Sequence, residues 1–410
     1  MAQRLDQPAF LGRHRQDPLI DRVSDIAEWL VDGASPTAAL DQTFKKLCED
    51  LCARGIPLWR VAMFVRTLHP DFFGEAWYWR RGAEVVVQQG RHSFRTSDEY
   101  LNSPILQIYK AGLPVRQRLT QPPNTDESSF FGEMRGEGVT DYLAVPLAFT
   151  DGSLHGISWS TKEPGGFTDA QLIALQWVTR PLARLAEIHA LRHAAGNLLD
   201  AYVGNNAGAR ILAGQIRRGD ADEIRAAIWL SDMRGYTNLS DRLPPQTIVK
   251  VLNRYFDCQV PAILEQGGEV LKFMGDGLLA IFPIAADDSD IDEVCRRVLT
   301  AARATCSNVD AMNTAEGAEL ARELRFGLAL HVGEVLYGNI GGAGRLDFTC
   351  IGPAVNLVAR LEKVAAQLGR TVIASAEFAQ HCRSEMAELG EFSVAGFAAP
   401  QIAYGLRSEG

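Results

Sequence analysis

The segment GGEVLKFMGDGLLAIFP, residues 267–283, constrains the fold more than any other part of the chain. Two apolar runs with the composition of strands flank the tetrapeptide Met274-Gly275-Asp276-Gly277. Because the glycines permit a tight turn, the segment predicts a β-hairpin with Asp276 at its tip. An Asp-Gly turn also forms in hairpins that have no function, so the hairpin alone does not identify a site.

A second segment, RAAIWLSDMRGYTNLSDRL, predicts a strand from Ala226 to Ser231, then a sharp turn and a helix. Asp232 stands where this strand ends. Free backbone N–H groups and the helix dipole at the start of a helix both favour a bound phosphate. The residues that we expect beside such a phosphate are Gly235, Tyr236 and Thr237. A strand-end aspartate is also common as a cap or turn residue, so this segment is not decisive alone.

The third segment, RFGLALHVGEVLYGNIGGAGRLDFTCIGPAVNLVARLEKVA (residues 325–365), predicts a strand, a turn, a strand, a glycine-rich loop, a short strand and a helix. Pro353 suits the first turn of that helix. Asn356 and Arg360 are four residues apart and therefore share one helix face. Arginine is also frequent on helix surfaces as a solvated or salt-bridged residue. Considered alone, Arg360 could be such a surface residue rather than a functional one.

The two aspartates acquire a chemical meaning when they are taken together. If the strand end and the hairpin tip meet, Asp232 and Asp276 can bind one or two Mg²⁺ ions, which take oxygen ligands and span substrate phosphates. The sequence therefore predicts a site for metal-assisted chemistry on a phosphate-bearing substrate.

The stretches SDMRGYTNLSD, GGEVLKFMGDGLLAIFP, HVGEVLYGNIG and DFTCIGPAVNLVARLE resemble, in order and spacing, the catalytic domain of class III adenylyl and guanylyl cyclases. The resemblance extends over residues 223–408. It implies a ferredoxin-like α/β (α+β) domain that works as a head-to-tail homodimer. It also implies conversion of ATP into 3′,5′-cyclic AMP and pyrophosphate, with Mg²⁺ or Mn²⁺ as the cofactor and two ions per site.

The resemblance assigns catalytic roles to residues from all three segments. Asp232 and Asp276 match the two metal-binding aspartates of the family. Asn356 and Arg360 match the pair that orients the ribose and stabilises the transition state. In the family, the metal ligands come from one protomer, whereas the base-reading and transition-state residues come from its partner. The resemblance therefore implies that a monomer is inactive.

The choice of base depends on two further positions. Lys272 matches the lysine that reads the adenine ring, and Thr349 matches the second base-reading position. The family pattern for a guanylyl cyclase implies glutamate at position 272 and cysteine at position 349. The nearby Cys350 is one residue out of register with the second position. The pair favours ATP over GTP.

One departure from the family pattern lies near the C-terminus. Ala395-Gly396 stands where many relatives have Lys-Gly, so a lysine that would help to hold the polyphosphate is missing. Arg345 and Arg234 are the candidates to replace it.

The first half of the chain carries a different pattern. A helix within residues 36–54, a strand over 58–66 and a hairpin of 141–149 with 154–162 precede a long helix. This order, carried by the segment YLAVPLAFTDGSLHGISWSTKEPGGFTDAQLIALQWV, resembles a GAF domain, which implies a sensory or dimerising module with an unidentified ligand or partner. The predicted organisation comprises four parts, namely a loose tail (1–20), a GAF-like domain (21–190), a helical and glycine-rich linker (191–222) and the cyclase domain (223–408).

The long helix begins near Asp169 and has an apolar stripe. Its members recur every three or four residues: Leu175, Val178, Leu182, Leu185, Ile188 and Leu191. Such a stripe packs either into its own core or against a second copy of the helix. Both alternatives stay open at this point.

Composition excludes several functional classes. The net charge of −9 argues against sequence-independent nucleic-acid binding, which needs a basic surface. Seven cysteines without a CxxC pair argue against a disulfide framework or a zinc site, which favours a reducing cytoplasm. The sequence contains no run of 18 apolar residues, so it predicts no membrane span. The remaining alternatives are a guanylyl cyclase, a non-catalytic nucleotide-binding regulator, and a GAF-led ligand sensor whose cyclase half is structural.

Overall fold

The computed structural model describes residues 18–34, 39–70, 72–121, 128–320 and 323–409. The chain divides into two units, Met1–Ala201 and Tyr202–Gly410. This division lies within residues 191–222, where the sequence predicts a linker. Most of the expected loose tail lies outside the described residues, but residues 18–20 begin a helix that the sequence analysis did not predict.

The first unit is built on a six-stranded antiparallel sheet with the order β3-β2-β1-β6-β5-β4. Its strands are β1 (Arg60–Arg66), β2 (Phe72–Arg80), β3 (Val86–Arg91), β4 (Val115–Arg118), β5 (Asp141–Ala148) and β6 (Leu154–Thr161). Its helices are α1 (Pro18–Val31), α2 (Leu40–Ala53), α3 (Asp98–Leu101), α4 (Pro104–Ala111), α5 (Ser129–Gly136) and α6 (Asp169–Val203). The predicted hairpin is confirmed as β5 and β6.

Helix α6 begins at a reciprocal cap. The Thr168 hydroxyl accepts a hydrogen bond from the Gln171 backbone N–H (3.3 Å), and the Gln171 side chain accepts one from the Thr168 N–H (3.0 Å). Leu175, Val178 and Leu182 are buried in the core of the first unit, whereas Ile188 is exposed. The N-terminal half of the predicted stripe is therefore core. None of the described helices combines the length and apolarity that crossing a membrane requires.

The second unit contains an eight-stranded sheet in which seven strands follow the order β13-β14-β12-β10-β7-β9-β8 and β11 pairs with β10. Its strands are β7 (Ala221–Met233), β8 (Glu269–Met274), β9 (Gly277–Pro283), β10 (Phe326–Gly342), β11 (Arg345–Ile351), β12 (Val372–Ser375), β13 (Met386–Phe392) and β14 (Gln401–Leu406). Its helices are α7 (Asn205–Leu212), α8 (Tyr236–Ser240), α9 (Pro245–Asp257), α10 (Val260–Glu265), α11 (Ile291–Leu320), α12 (Pro353–Leu368) and α13 (Ala376–Ala379).

Two cores cover opposite faces of this sheet, because successive side chains of a strand point to opposite sides. On β7, Ala227 and Trp229 join a core with helices α9 to α11. Ile228 and its neighbours of the same parity join a second core with α7 and α12. Helix α12 begins with Pro353 in its first turn, as predicted, and its apolar face recurs every three or four residues.

The prediction of two strands separated by a turn before the glycine-rich loop is wrong, because Phe326–Gly342 is one continuous strand. The glycines in it allow close approach rather than a turn. A side chain at Gly333 would begin 2.7 Å from the Cβ of Ala354, and one at Gly338 would begin 2.2 Å from the Asp220 carbonyl oxygen. These contacts bring β10 against α12 and against the chain that leads into β7.

Candidate active site

Two carboxylates meet at one end of the β7–β9 strand pair. Asp232 is the penultimate residue of β7, and Asp276 lies in the two-residue turn between β8 and β9. The register pairs Ser231 with Leu278, so the end of β7 lies beside the turn. A side chain at Gly277 would begin 3.2 Å from Asp232 Oδ1, so glycine leaves room for the aspartate. The predicted meeting of strand end and hairpin tip is confirmed.

The electrostatics of the two groups are coupled. Burial and then the negative charge of Asp276 raise the pKa of Asp232 to about 6. Burial also raises the pKa of Asp276, while its hydrogen bond with Asp232 partly offsets the rise. The two carboxyl groups therefore lie close together, and a cation between them would offset the repulsion of their negative charges.

Glu362 adds a third negative group that the sequence analysis did not single out. It lies on α12, two residues after Arg360, and a side chain at Gly327 would begin 2.5 Å from its Oε1. Gly327 pairs with Asp232 across β7 and β10, and the charge of Glu362 contributes to the raised pKa of Asp232. Burial raises the pKa of Glu362, and the nearby guanidinium of Arg234 partly offsets this.

The donors suit a hard divalent cation. Carboxylate oxygens are the ligands that Mg²⁺ and Mn²⁺ prefer. Within the described part of the chain, no group of three or more His, Cys, Asp or Glu side chains is arranged to hold a metal ion. Asp232 and Asp276 thus fit a site of the kind in which substrate phosphates and water complete the coordination.

The two predicted base-reading residues lie on β8 and β11. Lys272 is on β8, half-buried, and forms no ion pair among the described residues. Thr349 is on β11 and only 4% exposed, and its hydroxyl has no hydrogen-bond partner in the described chain. Burial raises the pKa of the Cys350 thiol to about 11, and the positive charge of Lys272 partly offsets the rise. Lys272 therefore lies close to the end of β11.

Asn356 and Arg360 lie on α12, and both side chains are exposed. Neither makes a side-chain hydrogen bond or ion pair with another described residue. The apolar face of α12 is turned towards the sheet, so these two polar groups point away from the domain's own core. They are available to a ligand or to another protein surface.

The remaining predicted residues are less informative. Gly235 has a φ of 71° and precedes α8, a helix of five residues, so the phosphate contact of Gly235, Tyr236 and Thr237 stays a prediction. Ala395 is exposed in the connection between β13 and β14. Of the two possible replacements for the missing lysine, Arg345 is the first residue of β11, and its guanidinium lies 3.7 Å from the Asp347 carboxylate. Arg234 donates a hydrogen bond to the Arg370 carbonyl.

The comparisons with known proteins concern this second unit. Residues 221–408 match the family described as the adenylate and guanylate cyclase catalytic domain. The chain is 32% identical to the adenylate cyclase of Anabaena cylindrica over 158 residues, which are 38% of this chain and 31% of that protein. It is 29% identical to adenylate cyclase 1 of Rhizobium meliloti over 155 residues, 37% of this chain and 23% of that protein.

The structure of a bacterial light-regulated adenylyl cyclase is also similar, with 27% identity and a TM-score of 0.40, over 45% of this chain and 91% of that one. The chain spans less than a third of the length of the two curated relatives. The matches support a class III adenylyl/guanylyl cyclase catalytic domain in residues 221–408, within a mixed α/β chain.

Proposed function

We propose that this protein is an adenylyl cyclase, which converts ATP into 3′,5′-cyclic AMP and pyrophosphate. The observation that carries the proposal is the pair of coupled carboxylates, Asp232 and Asp276, at one edge of a domain of the cyclase family. A pair of this kind is suited to holding divalent ions against a triphosphate. The adenylate cyclase names of the two curated relatives agree with it.

Asp232 and Asp276 would hold two Mg²⁺ or Mn²⁺ ions. Such ions lower the pKa of a bound hydroxyl and neutralise charge on phosphate oxygens. The nucleophile belongs to the substrate, since the ribose 3′-oxygen attacks the α-phosphorus and pyrophosphate leaves. The chain's own residues therefore act by positioning and by charge stabilisation rather than by covalent attack.

Arg360 and Asn356 complete the chemistry from a second copy of the chain. Their exposure and lack of partners within the described chain support a role at an interface. Arg360 would stabilise charge that grows on the α-phosphate, an interaction typically worth about 3–4 kcal/mol. Asn356 would orient the ribose. The site is then complete only in a head-to-tail homodimer of ferredoxin-like domains.

Lys272 and Thr349 would read the base. The buried, unpartnered hydroxyl of Thr349 supports this role, because a buried polar atom normally has a partner. A site with fixed donors and acceptors leaves some of them unpaired when the wrong base enters, and the cost can reach orders of magnitude in rate. We therefore propose ATP rather than GTP as the substrate.

The first unit would act as a GAF-like sensory or dimerising module. Its six-stranded sheet and long closing helix support this resemblance, and its ligand or partner is not identified by the sequence. Binding there would shift the population or geometry of the catalytic dimer.

The test is an assay of purified protein with ATP or GTP and Mn²⁺, followed by quantification of both cyclic products. We expect cyclic AMP, with kcat/KM for ATP at least about tenfold above that for GTP. Comparable kcat/KM values would contradict the assignment of the base. Nucleotide binding without any cyclic product would favour a non-catalytic regulator instead.

A further inference from the structure

A buried carboxylate outside the metal site lies three residues before Lys272. Glu269 is 9% exposed at the start of β8. It accepts a hydrogen bond from the Tyr337 hydroxyl (2.7 Å) and another from the Asn206 side-chain amide (3.2 Å). Burial raises the pKa of Tyr337 well above its usual value, so its hydroxyl stays protonated and acts as the donor. The carboxylate is thus held by two neutral donors.

The Tyr337 bond joins two parts of the domain that carry the proposed base-reading residues. Tyr337 lies on β10 and pairs with Cys350 of β11, the residue after Thr349. Its ring meets the ring of Phe348 edge-on at 4.8 Å. In the sheet order, β9 and β7 lie between β8 and β10, so no direct backbone pairing links these two strands. A side-chain bond supplies that link.

The third member of the network comes from α7, which precedes the catalytic sheet in the chain. Asn206 lies in its first turn, and Gly204 before it has a φ of 88°. A side chain at Gly204 would begin 3.4 Å from the Val270 carbonyl oxygen. The Arg210 guanidinium lies 5.2 Å from the centre of the Tyr337 ring. Helix α7 therefore packs directly on the link between β8 and β10.

We propose that Glu269 is a positioning residue for nucleotide selectivity: it fixes Lys272 relative to Thr349 through Tyr337, and Asn206 couples this arrangement to α7. This inference rests on the proposed function, because it takes Lys272 and Thr349 as the base readers. Small displacements of such groups are costly, since a misplacement of about 1 Å can change a rate by about 10²-fold. A network that only stabilised the fold would leave the ratio between bases unchanged.

The measurement is the ratio of dissociation constants for 3′-deoxy-ATP and 3′-deoxy-GTP, determined by calorimetry with Mn²⁺ on the full-length protein. These nucleotides lack the attacking hydroxyl, so binding is measured without turnover. We expect Tyr337→Phe and Glu269→Ala to reduce the preference for the adenine nucleotide about tenfold or more. Glu269→Gln should stay within about threefold of the wild type, because its amide oxygen still accepts from Tyr337.

Tyr404→Phe is the matched control, because it removes the same hydroxyl from β14, where that group makes no side-chain hydrogen bond in the described chain. If Tyr337→Phe unfolds, Asn206→Ala provides a second test. It should reduce the preference for the adenine nucleotide by a smaller factor. An unchanged ratio in folded Glu269→Ala, Tyr337→Phe or Asn206→Ala overturns the inference. Glu269→Gln as damaging as Glu269→Ala also overturns it, because charge rather than the hydrogen bond would then be responsible.

The binding measurement, combined with the assay of cyclic product from ATP on the same proteins, separates this inference from the proposed function. Selective binding that responds to the variants, without cyclic product from ATP, contradicts the proposed function alone. Cyclic AMP production with a ratio that the variants do not change contradicts the positioning role alone. A wild type that binds neither nucleotide contradicts both.

Discussion

At the scale of single residues, the acidic pair Asp232 and Asp276 is the observation on which the proposed metal-dependent chemistry rests. Burial and the proximity of the two groups make it unfavourable for Asp232 and Asp276 to be ionised together. A bound divalent cation would offset this free-energy cost. Their meeting was predictable, because Asp232 lies at the end of a strand and Asp276 occupies a glycine turn. Glu362 and Glu269 were not predicted, since their roles depend on strands and helices that are distant in sequence. An acidic residue at the start of the strand-like run GGEVLKF was the available signal for Glu269.

Replacing Asp276 with asparagine keeps the shape of the side chain and removes its charge. We expect Asp276→Asn to lower metal-dependent turnover by about 10²-fold or more, because the ions lose an anionic ligand. The unfolding temperature without metal should be unchanged or higher, since repulsion of Asp232 is relieved. Initial rates across a Mn²⁺ titration and thermal unfolding provide the two readouts.

The matched control for this variant is Asp241→Asn, an exposed aspartate just after α8. It should behave as the wild type in both measurements. Near-normal turnover in Asp276→Asn would mean that this carboxylate does not hold the ions.

At the scale of elements, helix α6 divides into a buried half and an exposed half. Beyond Ala186, five exposed apolar residues recur at a spacing of three and four residues: Ile188, Leu191, Ala195, Leu198 and Tyr202. This is the spacing of a two-stranded coiled-coil seam. The sequence pattern alone did not separate core from seam, because both place apolar residues at the same intervals. Only the contacts of the sheet decide where the core ends.

We expect the double variant Leu191→Lys with Leu198→Lys to shift a dimer towards monomer, because charges in an apolar seam lose hydration and repel. Light scattering coupled to size-exclusion chromatography measures the mass as a function of concentration. The control is His193→Lys with Asp200→Lys, which has the same seven-residue separation off the seam. Equal dimer stability in the two double variants would argue against this seam.

The glycines of the long strand β10 do not form the turn that the sequence predicts. They permit close contacts with α12 and with the chain near Asp220. Glycine serves both purposes, and the sequence does not state which neighbour approaches. The hairpin of β8 and β9 was predictable because its turn and its strands are contiguous in the chain.

At the scale of the whole molecule, two units share one chain, and the proposed active site requires two chains. Asp232 and Asp276 lie together within a unit, whereas Asn356 and Arg360 face outwards from α12. This arrangement agrees with the proposed head-to-tail dimer, in which each active site would take its aspartates from one copy and Asn356 and Arg360 from the other. Under this proposal a monomer would be inactive, and the first unit would control turnover by changing the association of the two copies.

Complementation between two inactive variants tests the shared site most directly. Asp276→Ala and Arg360→Ala are each expected to be inactive as homodimers. In a mixed dimer, one site carries both lesions and the other carries neither. Random assortment makes about half of the dimers mixed, each with one working site of two, so co-expression should restore roughly a quarter of the wild-type rate of cyclic AMP formation from ATP. Confirmed heterodimers without recovered activity would contradict the account, because Asp276 and Arg360 would then have to act from the same chain.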